Sequence, residues 1–339
     1  MLPSDSAPNP QLGQEIVQQI ARDYSDFAAQ ATDSPCFVAW ARGVAGDPDV
    51  LAWLAALPDA KRQPNLVFAA ARRHGVAAPG PYAGLRAALL ADDGRLRETV
   101  LTRSTQTNEV GRLATLAPAF ALLGEERPLA LVEVGASAGL CLYPDRYRYE
   151  WQTPAGTVRA GAGPLLPCEV TGPAPLPADP PAVAWRGGVD LNPLDVADPD
   201  AMDWLTTLVW PEHTDRRDRL HAAIDVARTD PPRLVAGDLL EELPALVDEA
   251  AAHGPVVVFH SAVLAYLDEA RRARFAETME GLVAEGRCHW VSNEGKRVLP
   301  AITATGSAVP EELPTFVLGV DGRAVAWTHG HGRSMTWLG

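Results

Sequence analysis

Hydrophobic and polar positions along the chain follow two different patterns. In the first third, apolar residues recur at helical spacing, as in Ile16, Ile20, Tyr24 and Phe27, then Val50, Leu51, Trp53 and Leu54. Breaks at Ser34-Pro35, Gly46-Asp47-Pro48, Pro58, Pro64 and Pro79-Gly80-Pro81 cut this stretch into helices of ordinary length. A last helix is predicted over 107–123, with Val110, Leu113, Leu116 and Phe120 on one side and Pro118 as a kink. Nothing before residue 126 alternates with the period of two that a half-buried strand needs.

After Gly124 short apolar runs alternate with amphipathic ones, which predicts a parallel sheet covered by helices. The runs are 129–134, 183–189, 234–236, 256–259 and 288–291. Helices are expected at 198–210, 214–228, 239–252 and 268–284. Two further strands, 315–320 and 324–328, flank Asp321-Gly322, a strong hairpin signal. Tyr147, Tyr149 and Trp151 alternate with polar residues ahead of Thr153-Pro154-Ala155-Gly156, which predicts an inserted hairpin. The Pro-rich stretch 172–181 reads as a stiff surface linker. The expected organisation is a helical domain over 1–125 and an α/β domain over 126–339, with an insertion at about 145–182. No internal repeat is visible.

Composition narrows the function classes. Asp and Glu outnumber Lys and Arg by 43 to 29, so the molecule repels phosphate backbones, and neither a nucleic acid nor an anionic membrane is expected as partner. The longest apolar stretch, 255–267, is interrupted by His260 and is too short to span a bilayer. Residues 1–11 lack the basic and apolar regions of a signal peptide. Cys36, Cys141, Cys168 and Cys288 form no C-x-x-C pair, which fits a reducing cytoplasm. Composition does not set the oligomeric state.

The sharpest local feature is Leu131-Val132-Glu133-Val134-Gly135-Ala136-Ser137-Ala138-Gly139. A buried strand carries an acid one position before its last residue, then enters a turn of glycines and small residues. Gly135, Ala136, Ser137 and Gly139 would let a ligand approach the backbone. Amides at a following helix start would face its polar groups, and Glu133 would accept a hydrogen bond at the strand's carboxyl end.

At this point the chain resembles the Rossmann-like, S-adenosylmethionine-dependent methyltransferases, whose first strand and loop read E/D-x-G-x-x-x-G, here Glu133, Gly135 and Gly139. The resemblance covers about residue 129 to the end. It implies a mostly parallel sheet with a closing antiparallel C-terminal hairpin, and S-adenosylmethionine as cofactor. By that resemblance Glu133 and the 135–139 turn lie near the methionine part, Asp190 on the ribose and Asp238 near the adenine. In the fourth-strand position, where nitrogen-methylating members carry Asn/Asp-Pro-Pro-Tyr, this chain has Phe259-His260-Ser261-Ala262, which speaks against amino methylation. More closely, Val132 to Leu140, Asn108 to Arg112 and Asp145 to Tyr149 resemble an uncharacterised bacterial domain-of-unknown-function family (DUF2332) over the whole chain.

Each candidate has a competing explanation. Gly135 to Gly139 is also a literal G-x-S-x-G, the nucleophile elbow of serine hydrolases, with Ser137 as nucleophile; the helical upstream region and Glu133 argue against it. The turn alone is equally a tight strand-to-helix connection. His260 is a candidate general base at the fourth strand's end, or a core-edge histidine bonded to backbone. Glu294 either lines an acceptor pocket or is solvated. Asn108, Glu109 and Arg112 either close over the cofactor or tie domains together. Tyr147, Tyr149 and Trp151 form a substrate wall or pack the hairpin. His329 and His331 lack a third ligand, so no metal is expected. The expected function is S-adenosylmethionine-dependent methyl transfer to a hydroxyl or carboxylate of a small acceptor roofed by the helical domain. The alternative is a non-catalytic protein that binds S-adenosylmethionine or a nucleotide.

Overall fold

A computed structural model describes residues 10–124 and 127–339, which fall into two compact units. The first holds residues up to Thr107 together with Asp203–Arg217, and the second holds Asn108–Met202 with Asp218–Gly339. The division expected between 125 and 126 lies outside the described residues, and the compact units part at Thr107/Asn108 instead.

The first unit is helical, and proline sets its punctuation. Helices Pro35–Ala45, Pro48–Ala55 and Pro64–Arg73 each open on a proline, whose missing N–H falls where a helix has no internal acceptor to lose. Ser34 Oγ caps Phe37 N at 3.2 Å and Asp47 caps Asp49 N and Val50 N at 3.1 and 3.3 Å. Tyr24, Phe37, Trp40 and Phe68 form the aromatic core, with ring centroids 5.0 to 5.9 Å apart. The late segment is tied in by polar bonds. Glu212 accepts from Ser34 Oγ (2.6 Å) and Cys36 N (2.8 Å), while Arg72 donates to the carbonyls of Thr207 and Val209.

The second unit is a mixed α/β structure around one large, mostly parallel sheet. Its strands are β1 (Leu129–Val134), β2 (Arg148–Thr153), β3 (Gly156–Ala160), β4 (Leu165–Thr171), β5 (Val183–Asp190), β6 (Arg233–Ala236), β7 (Val256–Ser261), β8 (His289–Gly295), β9 (Phe316–Val320), β10 (Arg323–Thr328) and β11 (Ser334–Trp337). They lie in the order β3-β2-β4-β11-β10-β9-β8-β7-β1-β5-β6. From β8 to β6 every pairing is parallel; apart from the insertion β2–β4 at the far end of the sheet, the strands that follow β1 are laid first on one side of it, β5 and β6, and then on the other, β7 and β8. The order of winding thus reverses at β1. In open α/β sheets the crevice at the carboxyl ends of such strands is where ligands bind.

The hairpin β9–β10 is antiparallel, as its Asp321-Gly322 turn implies, and β9 pairs antiparallel with β8. The expected inserted hairpin is β2–β3. Two strands were not expected. β4 alternates buried and exposed residues, and β11 pairs with it in parallel, which joins the insertion and the closing hairpin into one sheet. The aromatic residues of β2 pack inward. Tyr149 and Trp151 stack 5.0 Å apart, and Trp151 Nε1 donates to Ala114 O at 2.8 Å.

The helix expected from 107 begins only at Leu113. It spans Leu113–Leu123, preceded by a 3-10 turn at Val110–Arg112, and its residues 113–120 are all buried, Pro118 among them. A helix apolar on every side belongs inside a protein, and this one packs within the sheet unit. On the other side of the sheet, Ala130, Val132 and Val134 share a core with helices Leu239–Ala251 and Glu269–Ala284.

Candidate ligand site at the carboxyl end of strand β1

The second unit alone contains the site. Alternation along β1 puts Glu133 opposite the side of Val132 and Val134, on the same face as its register partner Phe259, whose ring meets Phe120 at 5.1 Å. Glu133 is only 6% exposed, and its Oε2 has no hydrogen-bond partner. Burial pushes its carboxyl well above the ordinary range, the nearby Arg112 acts in the opposite sense, and Asp190 adds to the rise. The Cys141 thiol is itself driven up, first by burial and then by Glu133.

The turn after β1 folds back on β5. Gly135 N and Ala136 N donate to Val189 O at 2.8 and 3.1 Å. The Asp190 carboxylate then accepts from Ser137 N (2.9 Å) and Asn192 N (2.8 Å), and Asn108 Oδ1 accepts from Leu140 N (2.7 Å). Gly135, Ser137 and Gly139 have φ of 68°, 52° and 68°. For Gly135 this conformation and its surroundings both exclude a side chain, since a Cβ there would lie 2.6 Å from the Val263 methyls. Ser137 takes the same left-handed conformation with a Cβ, and its buried Oγ has no partner. Such strain persists only where surrounding bonds hold it, and it clusters at functional sites.

No α-helix follows this turn. The chain passes through 3-10 turns at Leu140–Leu142 and Pro144–Arg146 straight into β2, so the expected row of helix-start amides is missing. The elbow that a serine nucleophile needs is likewise not built, and no histidine bonds to Ser137 Oγ.

His260 does not face the cleft. It is 0% exposed, on the same face of β7 as Val258, with its ring 5.3 Å from Phe275 in the helix-covered core. Trp290 Nε1 donates to its Nε2 at 3.0 Å, and an indole N–H can only donate, so Nε2 must accept. The proton therefore sits on Nδ1, 2.7 Å from Glu294 Oε1. Both nitrogens are occupied inside the core, which leaves none to take a proton from a substrate. Glu294 is buried too, and its Oε1 also accepts from Val263 N and Leu264 N at 2.9 and 3.1 Å. It thereby holds the turn after β7, where Ala262 has φ 59° and Val263 packs on Gly135. These two residues shape the site through the turn rather than by entering it.

Asp238 caps helix Leu239–Ala251 through Leu240 N at 2.9 Å and pairs with Arg271, which holds its carboxyl below the usual range. Arg112 donates to the carbonyls of Gly330 and Ser261, both at 2.8 Å, and so links the 3-10 turn, β7 and the loop before β11. Asn108, Glu109 and Arg112 precede the helix instead of sharing one of its faces. His331 N donates to His329 Nδ1 at 3.0 Å, and no group of three metal-binding side chains occurs among the described residues.

One feature of this face had no signal in the sequence. Asn293 bonds through Nδ2 to Ser261 Oγ at 2.9 Å and accepts from Thr328 Oγ1 at 2.7 Å, a buried polar row across the sheet on the Glu133 side. Cys141 is the other addition. Both depend on strands and turns that meet only in the folded chain.

Sheet order and site together define an α/β protein with a ligand-type constellation where the winding reverses. The chain belongs to the family described as "Uncharacterized protein conserved in bacteria (DUF2332)", whose model matches residues 21–337. No curated protein and no solved structure matches it. No helix is long and apolar enough to cross a membrane among the described residues.

Proposed function

We propose that the carboxyl end of β1 binds S-adenosylmethionine and that the protein transfers its methyl group to a carboxylate of a small acceptor. The observation that carries this reading is Glu133 Oε2, a buried oxygen with no partner among the described residues, beside a turn of glycines and small residues. It fits an ammonium or sulfonium group, since a buried acceptor left unpaired costs about 1 to 3 kcal/mol that a ligand donor or cation would recover. Asp190 ties the turn to the end of β5 through Ser137 N and Asn192 N, the strand end at which this reading puts the ribose. Asp238 is engaged as a cap and ion pair, so the reading does not rest on it.

S-adenosylmethionine supplies an electrophilic methyl group when bound. The chain's part is to align an acceptor with it and exclude water. A hydroxyl acceptor would need a base, and His260 is committed to Trp290 and Glu294. A carboxylate is already a nucleophile and yields a methyl ester with no proton moved, so of the two acceptor types it suits this site. The same commitment of His260 favours, as a second reading, binding without catalysis.

Calorimetry with S-adenosylmethionine and S-adenosylhomocysteine tests the first step, and ester formation on a panel of small carboxylic acids tests the second. The absence of binding at millimolar ligand sinks both readings. Binding without turnover on acids or alcohols leaves the non-catalytic one.

A further inference from the structure

The Glu133 carboxyl lies where a negative charge is poorly supported. No ion pair reaches it among the described residues, and its Oε2 is unpartnered. Arg112, the cation near it, directs Nε and Nη1 to the carbonyls of Gly330 and Ser261. The other titratable groups facing this cluster are Asp190 at the end of β5, Cys141 and Glu109 beside it, and Tyr147 before β2. None of these four offers a positive charge. Buried acids in such surroundings keep their proton until an opposite charge arrives.

Resting on the ligand reading above, we propose that Glu133 makes the site select its ligand by charge: a ligand with an ammonium or sulfonium centre binds with loss of the Glu133 proton to solvent, whereas a neutral isostere binds without it and more weakly. The exchange balances, since the acid and the cation become a carboxylate–cation pair and one free proton. The carboxyl's upward displacement by burial accords with this. On the acid side of the Glu133 transition, release of one proton makes affinity climb about tenfold per pH unit.

The test is calorimetry of the full chain with S-adenosylhomocysteine, which carries an ammonium, and with 5′-methylthioadenosine, a neutral thioether, in buffers of different ionisation heat. About one proton should be released per S-adenosylhomocysteine and none per 5′-methylthioadenosine. Glu133→Gln should abolish the release and weaken S-adenosylhomocysteine at least about tenfold, the loss of a charge-assisted bond, while leaving the neutral ligand within about threefold. Binding of S-adenosylhomocysteine with no proton released, or release that survives Glu133→Gln, overturns the proposal. If neither ligand binds, the function proposed above fails. The infrared difference between ligand-free wild type and Glu133→Gln then decides the protonation: a neutral-acid carbonyl band supports it and its absence overturns it.

Discussion

Glu294 offers the sharpest separation between a structural and a chemical role. Its Oε1 accepts from three buried donors, His260 Nδ1, Val263 N and Leu264 N, at 2.7, 2.9 and 3.1 Å. Glu294→Ala leaves all three unpaired, and at about 1 to 3 kcal/mol for each orphaned donor the loss is at least about 3 kcal/mol even after relaxation. Glu294→Gln keeps a carbonyl oxygen for the same donors but exchanges a carboxylate for a neutral acceptor, at about 1 kcal/mol in all. The gap between the two variants should therefore be about 2 kcal/mol, or roughly 4 to 8 °C in Tm for a unit of about 200 residues. Urea and thermal unfolding followed by near-ultraviolet circular dichroism read it directly. The turn at Ala262 to Leu264 packs on Gly135. Hence affinity for S-adenosylhomocysteine should fall in the alanine variant and largely survive in the glutamine one. The reasoning is refuted if Glu294→Ala stays within about 1 kcal/mol of wild type. It is equally refuted if replacing His260 abolishes turnover in a protein of unchanged stability, for the histidine would then act on substrate.

Two further outcomes follow from the same site. A carboxyl held above its unfolded value retains its proton when the unfolded chain has lost it, so folding takes up a proton and stability falls as pH rises from the ordinary glutamate range. Glu133→Gln should remove that fall, at most about 1.4 kcal/mol per pH unit, and leave the ligand-free variant more stable than wild type at neutral pH and equal to it in acid; a stability–pH curve parallel to wild type would contradict this. Asp238→Ala should cost about 1 kcal/mol through the lost cap on Leu240 N, whereas Asp238→Asn keeps most of it. Thermal melts of the pair check the cap, and an unchanged S-adenosylhomocysteine affinity in Asp238→Asn is expected if the residue is structural.

Much of the fold is visible in the chain because parallel strands buried on both faces are near-continuous apolar runs. The apolar run 129–134 coincides with β1 to the residue, and the runs at 183–189, 256–259, 288–291, 315–320 and 324–328 match β5, β7, β8, β9 and β10 to within a few residues at each end. β4 escaped because a proline within the run, Pro167, argues against a strand although its pattern alternates, and β11 because four residues carry too short a pattern. Helix Leu113–Leu123 did hold a readable clue: Thr115 is its one polar residue, which marks an interior helix rather than the edge of a helical domain. His260 held none. β7 is buried on both faces except at Ser261, so neither hydropathy nor alternation tells which face becomes the site.

The turn after β1 shows why a local motif could be read three ways and why tertiary structure narrows the choice. Glycine spacing alone fits a nucleotide loop, a nucleophile elbow or a plain connection. The first two ordinarily feed a helix, whose amides or whose strained start then supplies the chemistry. Here the insertion β2–β4 takes the helix's place, and the turn is held instead from outside by Asp190, Asn108 and Val263. What remains to meet a ligand is therefore a side chain, Glu133, more than a row of backbone N–H groups. Helix-start amides favour anionic ligands, whereas a buried carboxyl with an unpaired oxygen favours a donor or a cation. On the proposed reading, the absence of the helix turns the site away from phosphate-bearing nucleotides and toward a ligand with a positive centre, the same direction in which an acidic chain already leans.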